Sequence, residues 1–132
     1  MKARREHVIP LPFQAVKMLR TLQGLTGHRQ HLFPGRDNPL GPMTSHSLRQ
    51  LLKSLGWSGI YSPHATRTTG STRLNEMGYR PDAIEAQLAH ADTNNVRRTY
   101  NHATYLDERK VMMQEWADKL EGWVKSTANS TD

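Results

Sequence analysis

Residues 62–81, SPHATRTTGSTRLNEMGYRP, decide how this chain is organised and raise the question of what it does. Pro63 stands where a proline can begin a helix and Gly78 where a glycine can end one, so the segment predicts a helix from Pro63 to about Met77. Four threonines and a glycine give this helix a weak intrinsic propensity, which indicates that its residues serve something other than local stability. His64 and Arg67, three positions apart, project from neighbouring faces of one turn, a spacing suited to holding one anion.

Apolar residues recur at helical spacing on both sides of this segment, over residues 13–25, 45–55 and 81–90 and again from Ala103 onward. A further short turn is predicted over 92–100. The apolar positions assigned to these helices are Phe13, Val16, Leu19, Leu22 and Leu25 in the first, Leu48, Leu51, Leu52 and Leu55 in the second, Ile84, Leu88 and Ala89 in the fourth, and Leu106, Val111, Met112, Trp116, Leu120 and Trp123 in the last.

The remaining segments complete the predicted fold. Residues 7–11, HVIPL, indicate an edge strand, because Pro10 and Pro12 exclude a central one. Residues 31–43 are rich in proline and glycine and predict a loop with Leu32 and Phe33 anchored in the core. The charged runs DERK and EWADK of the last helix are expected to be solvated. The fold class is therefore mainly α (α+β), with about five to six helices and a residual N-terminal β-strand.

Length and composition limit the possible functions. A chain of 132 residues suffices for one globular unit, predicted over residues 1–125, followed by a disordered tail over 126–132. The chain has no cysteine, which excludes disulfides, thiolate metal sites and cysteine nucleophiles and fits a reducing, cytoplasmic compartment. The sequence contains no run of about 18 apolar residues, the length that a membrane-spanning helix requires. The formal charge of +6 and the pI near 10.0 favour a polyanionic partner, although a basic but otherwise ordinary domain has the same composition.

Several polar residues are left unexplained by the apolar stripes. They are Lys2, His64, Arg67, His90 and Tyr100. A cation-rich pocket that also contains a tyrosine suggests phosphate chemistry in which the tyrosine hydroxyl attacks phosphorus.

The two segments HATRTTGSTRLNEMGY and LAHADTNNVRRTYNH resemble the C-terminal catalytic motifs of tyrosine recombinases, the phage integrase family. The family pattern is His-x-x-Arg, then Leu-Gly-His, then a nucleophilic tyrosine about ten residues later. His64 and Arg67 match the first pair, His90 in LAH the second motif, and Tyr100 the nucleophile. The N-terminal KARREHVIPL is similar to the end of the family's β-hairpin, which places Lys2 at the catalytic lysine. ERKVMMQEWADKLEG is similar to the last helix of prophage and genomic-island integrases.

This resemblance implies an enzyme that breaks and rejoins double-stranded DNA at attachment sites without a metal or another cofactor. Tyr100 would form a 3′-phosphotyrosyl link, and Arg67 and His90 would bind the phosphate. Lys2 would protonate the departing 5′-oxygen, and His64 would act as acid and base for the tyrosine. It also implies a bacterial or phage protein of the cytoplasm and nucleoid, whose terminal helix docks on other recombinase protomers. Two departures are the alanine in LAH and the absence of the family's upstream Arg-x-x-Glu helix.

Other interpretations of the same residues remain open. A catalytically inactive integrase remnant would bind DNA or protomers without chemistry, and His64, His90 and His102 would on paper allow a zinc site, although their spacing fits no common pattern. Tyr105 competes with Tyr100 as the nucleophile, but its position in the last helix favours packing, as for Tyr61 and Tyr79. Trp116 and Trp123 are at packing positions. The arginines that could contact DNA, or belong only to a solvated face, are Arg4, Arg5, Arg73, Arg97 and Arg98.

Overall fold

The protein is described by a computed structural model that covers residues 7–89 and 105–129. This part of the chain contains five α-helices, which confirms the mainly α class. They are α1 (Phe13–Thr26), α2 (Ser45–Ser54), α3 (Pro63–Glu76), α4 (Pro81–Leu88) and α5 (Leu106–Ala128). The turn predicted over 92–100 lies outside the described residues. No described helix is long and apolar enough to cross a membrane.

The N-terminal segment differs from the prediction. Residues 7–12 have no regular secondary structure, so the edge strand predicted over 7–11 is not formed. A strand is stabilised by a ladder with a second strand, and Pro10 and Pro12 lack the amide hydrogens that such a ladder uses. The one bridge within the described residues joins Pro34 and Pro42 in an antiparallel pair.

The chain divides into two compact units, and the single domain expected over residues 1–125 stays a prediction. Of the described residues, 7–13, 71–89 and 105–129 belong to the first unit, and 14–70 to the second. α3 begins in the second unit and ends in the first. The two units differ in how much apolar surface they bury.

The first unit contains a small apolar core. Leu74 of α3, Ile84 of α4 and Met112 of α5 are buried and pack together. The partly buried residues packed against this cluster are Met77, Tyr79, Leu88, Met113 and Trp116. Trp116 also makes an edge-to-face contact with Trp123, with ring centroids 5.8 Å apart. The packing role expected for Trp116 is therefore confirmed, whereas Trp123, Val111 and Leu120 of the predicted stripe are exposed.

Arg109 of α5 is buried inside this unit, with only 2 % of its surface exposed, so its assignment to a solvated charged run was wrong. Its Nε donates to Gln87 Oε1 at 2.9 Å, and one terminal nitrogen donates to the Val8 carbonyl at 2.7 Å. Burial lowers the pKa of the Arg109 guanidinium, although arginine remains charged in proteins. Arg109 lies three residues before Met112, on the apolar face of α5, and this position is the signal that sequence reasoning missed. The side chain joins the N-terminal segment to α4.

The Arg109→Met substitution is expected to lower the free energy of unfolding by about 2–4 kcal/mol, since it removes the two charge-assisted hydrogen bonds to the partly buried acceptors of Val8 and Gln87. Chemical denaturation followed by circular dichroism measures this loss. Lys110→Met is the matched control, because Lys110 pairs with Asp107 at an exposed 3.1 Å contact, and exposed pairs contribute about 0–1 kcal/mol. Equal losses in the two variants would show that Arg109 has no special structural role.

The second unit, residues 14–70, has no residue that is fully buried. Leu51 of α2 is 50 % exposed, and Leu55, the residue that follows the helix, is 62 % exposed. Leu32 and Phe33 in the loop over residues 31–43 are 59 % and 54 % exposed. The buried face predicted for α2 and the loop anchor were therefore wrong. An apolar stripe fixes which face can be buried, and burial also requires an element that covers it.

Two helix ends also differ from prediction. Ala89 is exposed and adopts a left-handed conformation, with φ 52°, so α4 ends at Leu88 instead of His90 and Ala89 is not inward. α5 runs to Ala128, past residue 126 where the tail was expected to begin. The hydroxyls of Ser126 and Thr127 donate to the Trp123 carbonyl at 2.9 and 3.0 Å and support this last turn.

Candidate functional site

The first turns of α3 carry the two described members of the predicted catalytic set. Pro63 is the first helical residue, and the Ser62 hydroxyl accepts a hydrogen bond from the Ala65 amide at 3.3 Å. Hydroxyl capping of this kind compensates the amides that lack a helical partner. The Tyr61 and Thr66 hydroxyls are 2.7 Å apart and bond the preceding loop to the helix. The weak intrinsic propensity of α3 is thus offset by its cap and by this contact.

His64 and Arg67 are both exposed on this first part of α3. Side chains three apart on a helix have Cβ atoms roughly 5–6 Å from each other, close enough to approach one ligand. The free amides and the positive end of the helix dipole favour an anion at the same place. The arrangement can therefore provide a hydrogen-bonding imidazole and a guanidinium fork to an oxyanion such as a phosphate.

Arg73, nearer the end of α3, contacts other side chains of the protein. Its guanidinium pairs with Glu76 at 2.9 Å and lies 5.8 Å from the Trp123 ring centroid. Both charged groups of the pair are about half exposed, so the pair contributes little to stability. The assignment of Arg73 to DNA contact stays a prediction, in which DNA would compete with Glu76.

The other predicted site residues lie outside the described part of the chain. They are Lys2, His90 and Tyr100 of the catalytic set and Arg4, Arg5, Arg97 and Arg98 of the DNA-contact set. Two described residues that lie near members of this set in the sequence contact each other. The His7 ring nitrogen Nε2 is 3.2 Å from the Gln87 carbonyl oxygen. The segment that follows Lys2 in the sequence therefore contacts the end of α4, three residues before His90.

Tyr105, the alternative nucleophile, packs against the side chain of Arg80. The Arg80 guanidinium carbon lies 4.6 Å from the centroid of its partly buried ring, and Arg80 also pairs with Glu108 at 3.2 Å. Tyr105 precedes α5 with a φ of 49°, a left-handed conformation that costs about 1 kcal/mol or more outside glycine. These contacts agree with the packing role expected for Tyr105.

Tyr79 has an equally clear structural role, since its hydroxyl donates to the Glu115 carboxylate. Partial burial, followed by the hydrogen bond and charge of Glu115 and by the charge of Glu108, raises the pKa of Tyr79 to about 12. A phenol with a raised pKa is a poor source of a nucleophilic phenolate at neutral pH. This environment gives Tyr79 a structural role and disfavours it as a nucleophile.

The pKa of Tyr79 predicts a pH dependence of stability. Between pH 10 and about 12 the unfolded chain loses the Tyr79 proton while the folded chain retains it. The free energy of unfolding is therefore expected to be independent of this group below pH 10 and to fall as the pH rises through that window. Denaturant titrations at pH 9 and pH 11 measure the fall. Tyr79→Phe should show a smaller decrease than the unchanged chain; an equal decrease would contradict the assignment.

Among the described residues, no group of three or more histidine, aspartate or glutamate side chains could hold a metal ion. Of the histidines considered for a zinc site, His64 is described, whereas His90 and His102 lie outside the described residues.

Comparison with known proteins shows which family this chain belongs to. Residues 1–107 match the model of the phage integrase family. The chain belongs to the phage integrase family. It is 46 % identical over 118 residues to the prophage integrase IntA of Escherichia coli strain K12, which covers 89 % of this chain and 29 % of that protein. It is 41 % identical over 126 residues to the integrase of Shigella phage Sf6, which covers 95 % of this chain and 33 % of that integrase.

A third integrase, prophage integrase IntZ of Escherichia coli strain K12, is 42 % identical over 132 residues, with 98 % of this chain and 32 % of that protein covered. The chain thus spans about a third of the length of the curated integrases it matches. No solved structure matches it significantly. The family match includes α3, which carries His64 and Arg67, and so agrees with the resemblance found in the motifs.

Proposed function

We propose that the chain is the C-terminal catalytic part of a tyrosine recombinase and that it takes part in site-specific recombination and integration of double-stranded DNA. The observation that carries this proposal is the pair His64 and Arg67, exposed together on the capped first turns of α3 within a phage integrase match. An imidazole and a guanidinium at a helix N-terminus suit a phosphodiester.

In this proposal the Tyr100 hydroxyl attacks the scissile phosphorus as its proton passes to His64. A phosphorus–oxygen bond forms to tyrosine, giving a 3′-phosphotyrosyl link, and the bond to the 5′-oxygen breaks. Lys2 gives a proton to that departing oxygen. Arg67 and His90 stabilise the negative charge that develops on the non-bridging oxygens. The covalent link conserves the energy of the diester, so a 5′-hydroxyl of another strand can reverse the step without ATP.

Attachment-site DNA and other recombinase protomers are the partners in this proposal, and the last helix, α5, is the proposed contact between protomers. Trp123 and Val124 near the end of α5 are exposed apolar residues that such a contact would cover. The proposed place of action is the nucleoid of a bacterial cytoplasm.

The experiment that tests this proposal uses a hybrid integrase, because the chain spans about a third of its relatives. The matching C-terminal part of IntA is replaced by this chain, and the hybrid is incubated with a nicked DNA substrate that carries the attachment site of that prophage. We expect a protein–DNA complex that survives denaturing electrophoresis. A folded hybrid that binds this DNA without a covalent complex would favour the alternative, an inactive remnant that binds DNA without chemistry.

A further inference from the structure

A partly buried hydrogen bond joins the two parts of the chain that flank residues 90–104, the stretch that contains His90 and Tyr100. Arg109 of α5, which is buried, donates from Nε to Gln87 Oε1 of α4 at 2.9 Å. Gln87 stands three residues before His90, and Arg109 nine residues after Tyr100. The donor is charged and the contact is shielded from water, two conditions that strengthen a hydrogen bond.

The residues that border this stretch directly have an unusual backbone conformation. Ala89 has a φ of 52° and Tyr105 a φ of 49°, and within the described part of the chain they are the two non-glycine residues with a left-handed backbone. Such a conformation is unfavourable for a residue with a Cβ atom and persists where surrounding contacts hold it. The fold around the stretch therefore sets the direction in which the chain leaves α4 and enters α5.

Contacts at the start of α5 hold the second of these residues. The Arg80 guanidinium carbon lies 4.6 Å from the centroid of the Tyr105 ring, and the same guanidinium pairs with Glu108 at 3.2 Å. Arg80 is largely exposed, whereas Arg109 is buried. The first turn of α5 is thus fixed by one arginine at the surface and by another inside the unit.

The buried guanidinium also binds the N-terminal segment. One of its terminal nitrogens donates to the Val8 carbonyl at 2.7 Å, and the His7 ring nitrogen Nε2 is 3.2 Å from the Gln87 carbonyl oxygen. Arg109, Gln87 and residues 7–8 therefore form one hydrogen-bonded cluster within the first unit. Val8 stands six residues after Lys2 in the sequence, so the cluster includes the segment that follows this proposed catalytic residue.

We propose that Arg109 is a positioning residue for DNA cleavage, which fixes the two ends of residues 90–104 through its bond to Gln87 and so aligns Tyr100 with the scissile phosphate. The inference rests on the proposed function for the role of Tyr100 and extends it by a residue that does not touch the reacting atoms. A displacement of about 1 Å caused by a change remote from the chemistry can lower a rate by about 10²-fold. The rate of cleavage at saturating DNA therefore depends on this bond, whereas the affinity for DNA does not.

The test breaks the bond at Gln87, because Arg109→Met is expected to destabilise the whole unit. In the hybrid integrase, Gln87→Met retains the length of the side chain and lacks the acceptor oxygen. Gln114→Met is the matched control, since Gln114 is also partly buried and its Oε1 accepts from the Phe13 amide at the same distance, 2.9 Å. Its bond does not join the ends of residues 90–104.

At saturating nicked DNA, Gln87→Met is expected to form covalent product about 10–100-fold more slowly than the unchanged hybrid, with an affinity for DNA within about twofold. Gln114→Met should stay within about threefold in rate, because its contact is independent of the stretch. Gln87→Glu supplies a new acceptor oxygen to the guanidinium and should recover most of the rate. A role in stability alone would not produce this difference between rate and affinity.

A second measurement requires no cleavage of DNA. Hydrogen–deuterium exchange of the 132-residue chain, followed by mass spectrometry, measures how strongly the amides over residues 90–104 are protected. Gln87→Met should raise exchange there by about threefold or more and leave α3 unchanged, whereas Gln114→Met should leave residues 90–104 unchanged.

Equal losses of rate in Gln87→Met and Gln114→Met, or a loss of affinity alone in Gln87→Met, would overturn the inference. An unchanged rate in Gln87→Met would overturn it even if exchange rises. Absence of covalent product from the unchanged hybrid would instead overturn the proposed function. The exchange measurement keeps these failures apart, because it detects the effect of the Arg109–Gln87 bond on residues 90–104 without any chemistry.

Discussion

Tyr100→Phe is expected to abolish the covalent complex between the hybrid integrase and its nicked DNA substrate. Phenylalanine retains the ring but lacks the oxygen that forms the phosphotyrosyl bond, and removal of a catalytic nucleophile costs on the order of 10⁴-fold or more in rate. Denaturing electrophoresis of the labelled DNA measures the covalent product. Non-covalent affinity, measured by anisotropy, should be unchanged.

Tyr105→Phe is the matched control, because it removes the same oxygen five residues later. The Tyr105 ring lies against Arg80, and phenylalanine retains that surface. The variant is expected to keep its covalent product within a fewfold of the parent. Covalent product from Tyr100→Phe together with its loss from Tyr105→Phe would assign the nucleophile to Tyr105.

Arg67→Ala is expected to lower the single-turnover rate of DNA cleavage by about 10²–10³-fold at saturating DNA, since it removes a donor to the charge that develops on phosphate. Arg67→Lys should recover only part of the rate, because an ammonium lacks the planar fork that binds two oxygens. Quench-flow measurement of covalent product over a range of DNA concentrations separates the cleavage rate from affinity.

Arg73→Ala is the control for Arg67 on the same helix. Its guanidinium already pairs with Glu76 and lies beside Trp123, so a DNA contact there would affect affinity alone. We expect its rate at saturating DNA to match the parent within about threefold. If Arg73→Ala lowers the saturated rate as much as Arg67→Ala does, the proposed role of Arg67 in the chemical step is wrong.

Both predictions concern residues, Tyr100 and Arg67, that were identified from the order of the motifs along the sequence. The sequence was also sufficient to place most helix boundaries. Proline and glycine fixed α3 closely, with Pro63 at its start and Gly78, at φ 85°, just beyond its end. A polar residue also caps α2, where the Thr44 hydroxyl accepts a bond from the Ser47 amide at 3.2 Å. Such signals are local, so a single sequence contains them.

Burial was predicted less well, because it depends on what covers a face. The leucines over residues 48–55 have the spacing of a buried stripe, yet Leu51 and Leu55 are exposed. Arg109 shows the opposite error, since its charge suggested solvent while the Val8 carbonyl and the Gln87 amide oxygen stabilise it inside the unit. Both errors concern contacts between residues that are distant in sequence, which periodicity does not encode.

A groove lined by His46, Arg49, Lys53, Trp57 and Tyr61 was also not predicted, although part of its signal is visible in the sequence. The absence of acidic residues over 38–75 indicates a basic surface, but only the fold brings Trp57 and Tyr61 to one groove with residues of α2. A map of charge along the chain would have pointed to α2 as well.

The most direct test of the central claim, that this chain belongs to a recombinase with Tyr100 as nucleophile, is to identify the amino acid that becomes linked to DNA. The covalent complex of the hybrid is digested with nuclease and trypsin, and the nucleotide-bearing peptide is fragmented by mass spectrometry. Trypsin should release residues 99–109, which contain both Tyr100 and Tyr105. The proposal predicts a nucleotide joined through its 3′-phosphate to the Tyr100 oxygen. A nucleotide on Tyr105, or on any residue outside this peptide, would contradict it.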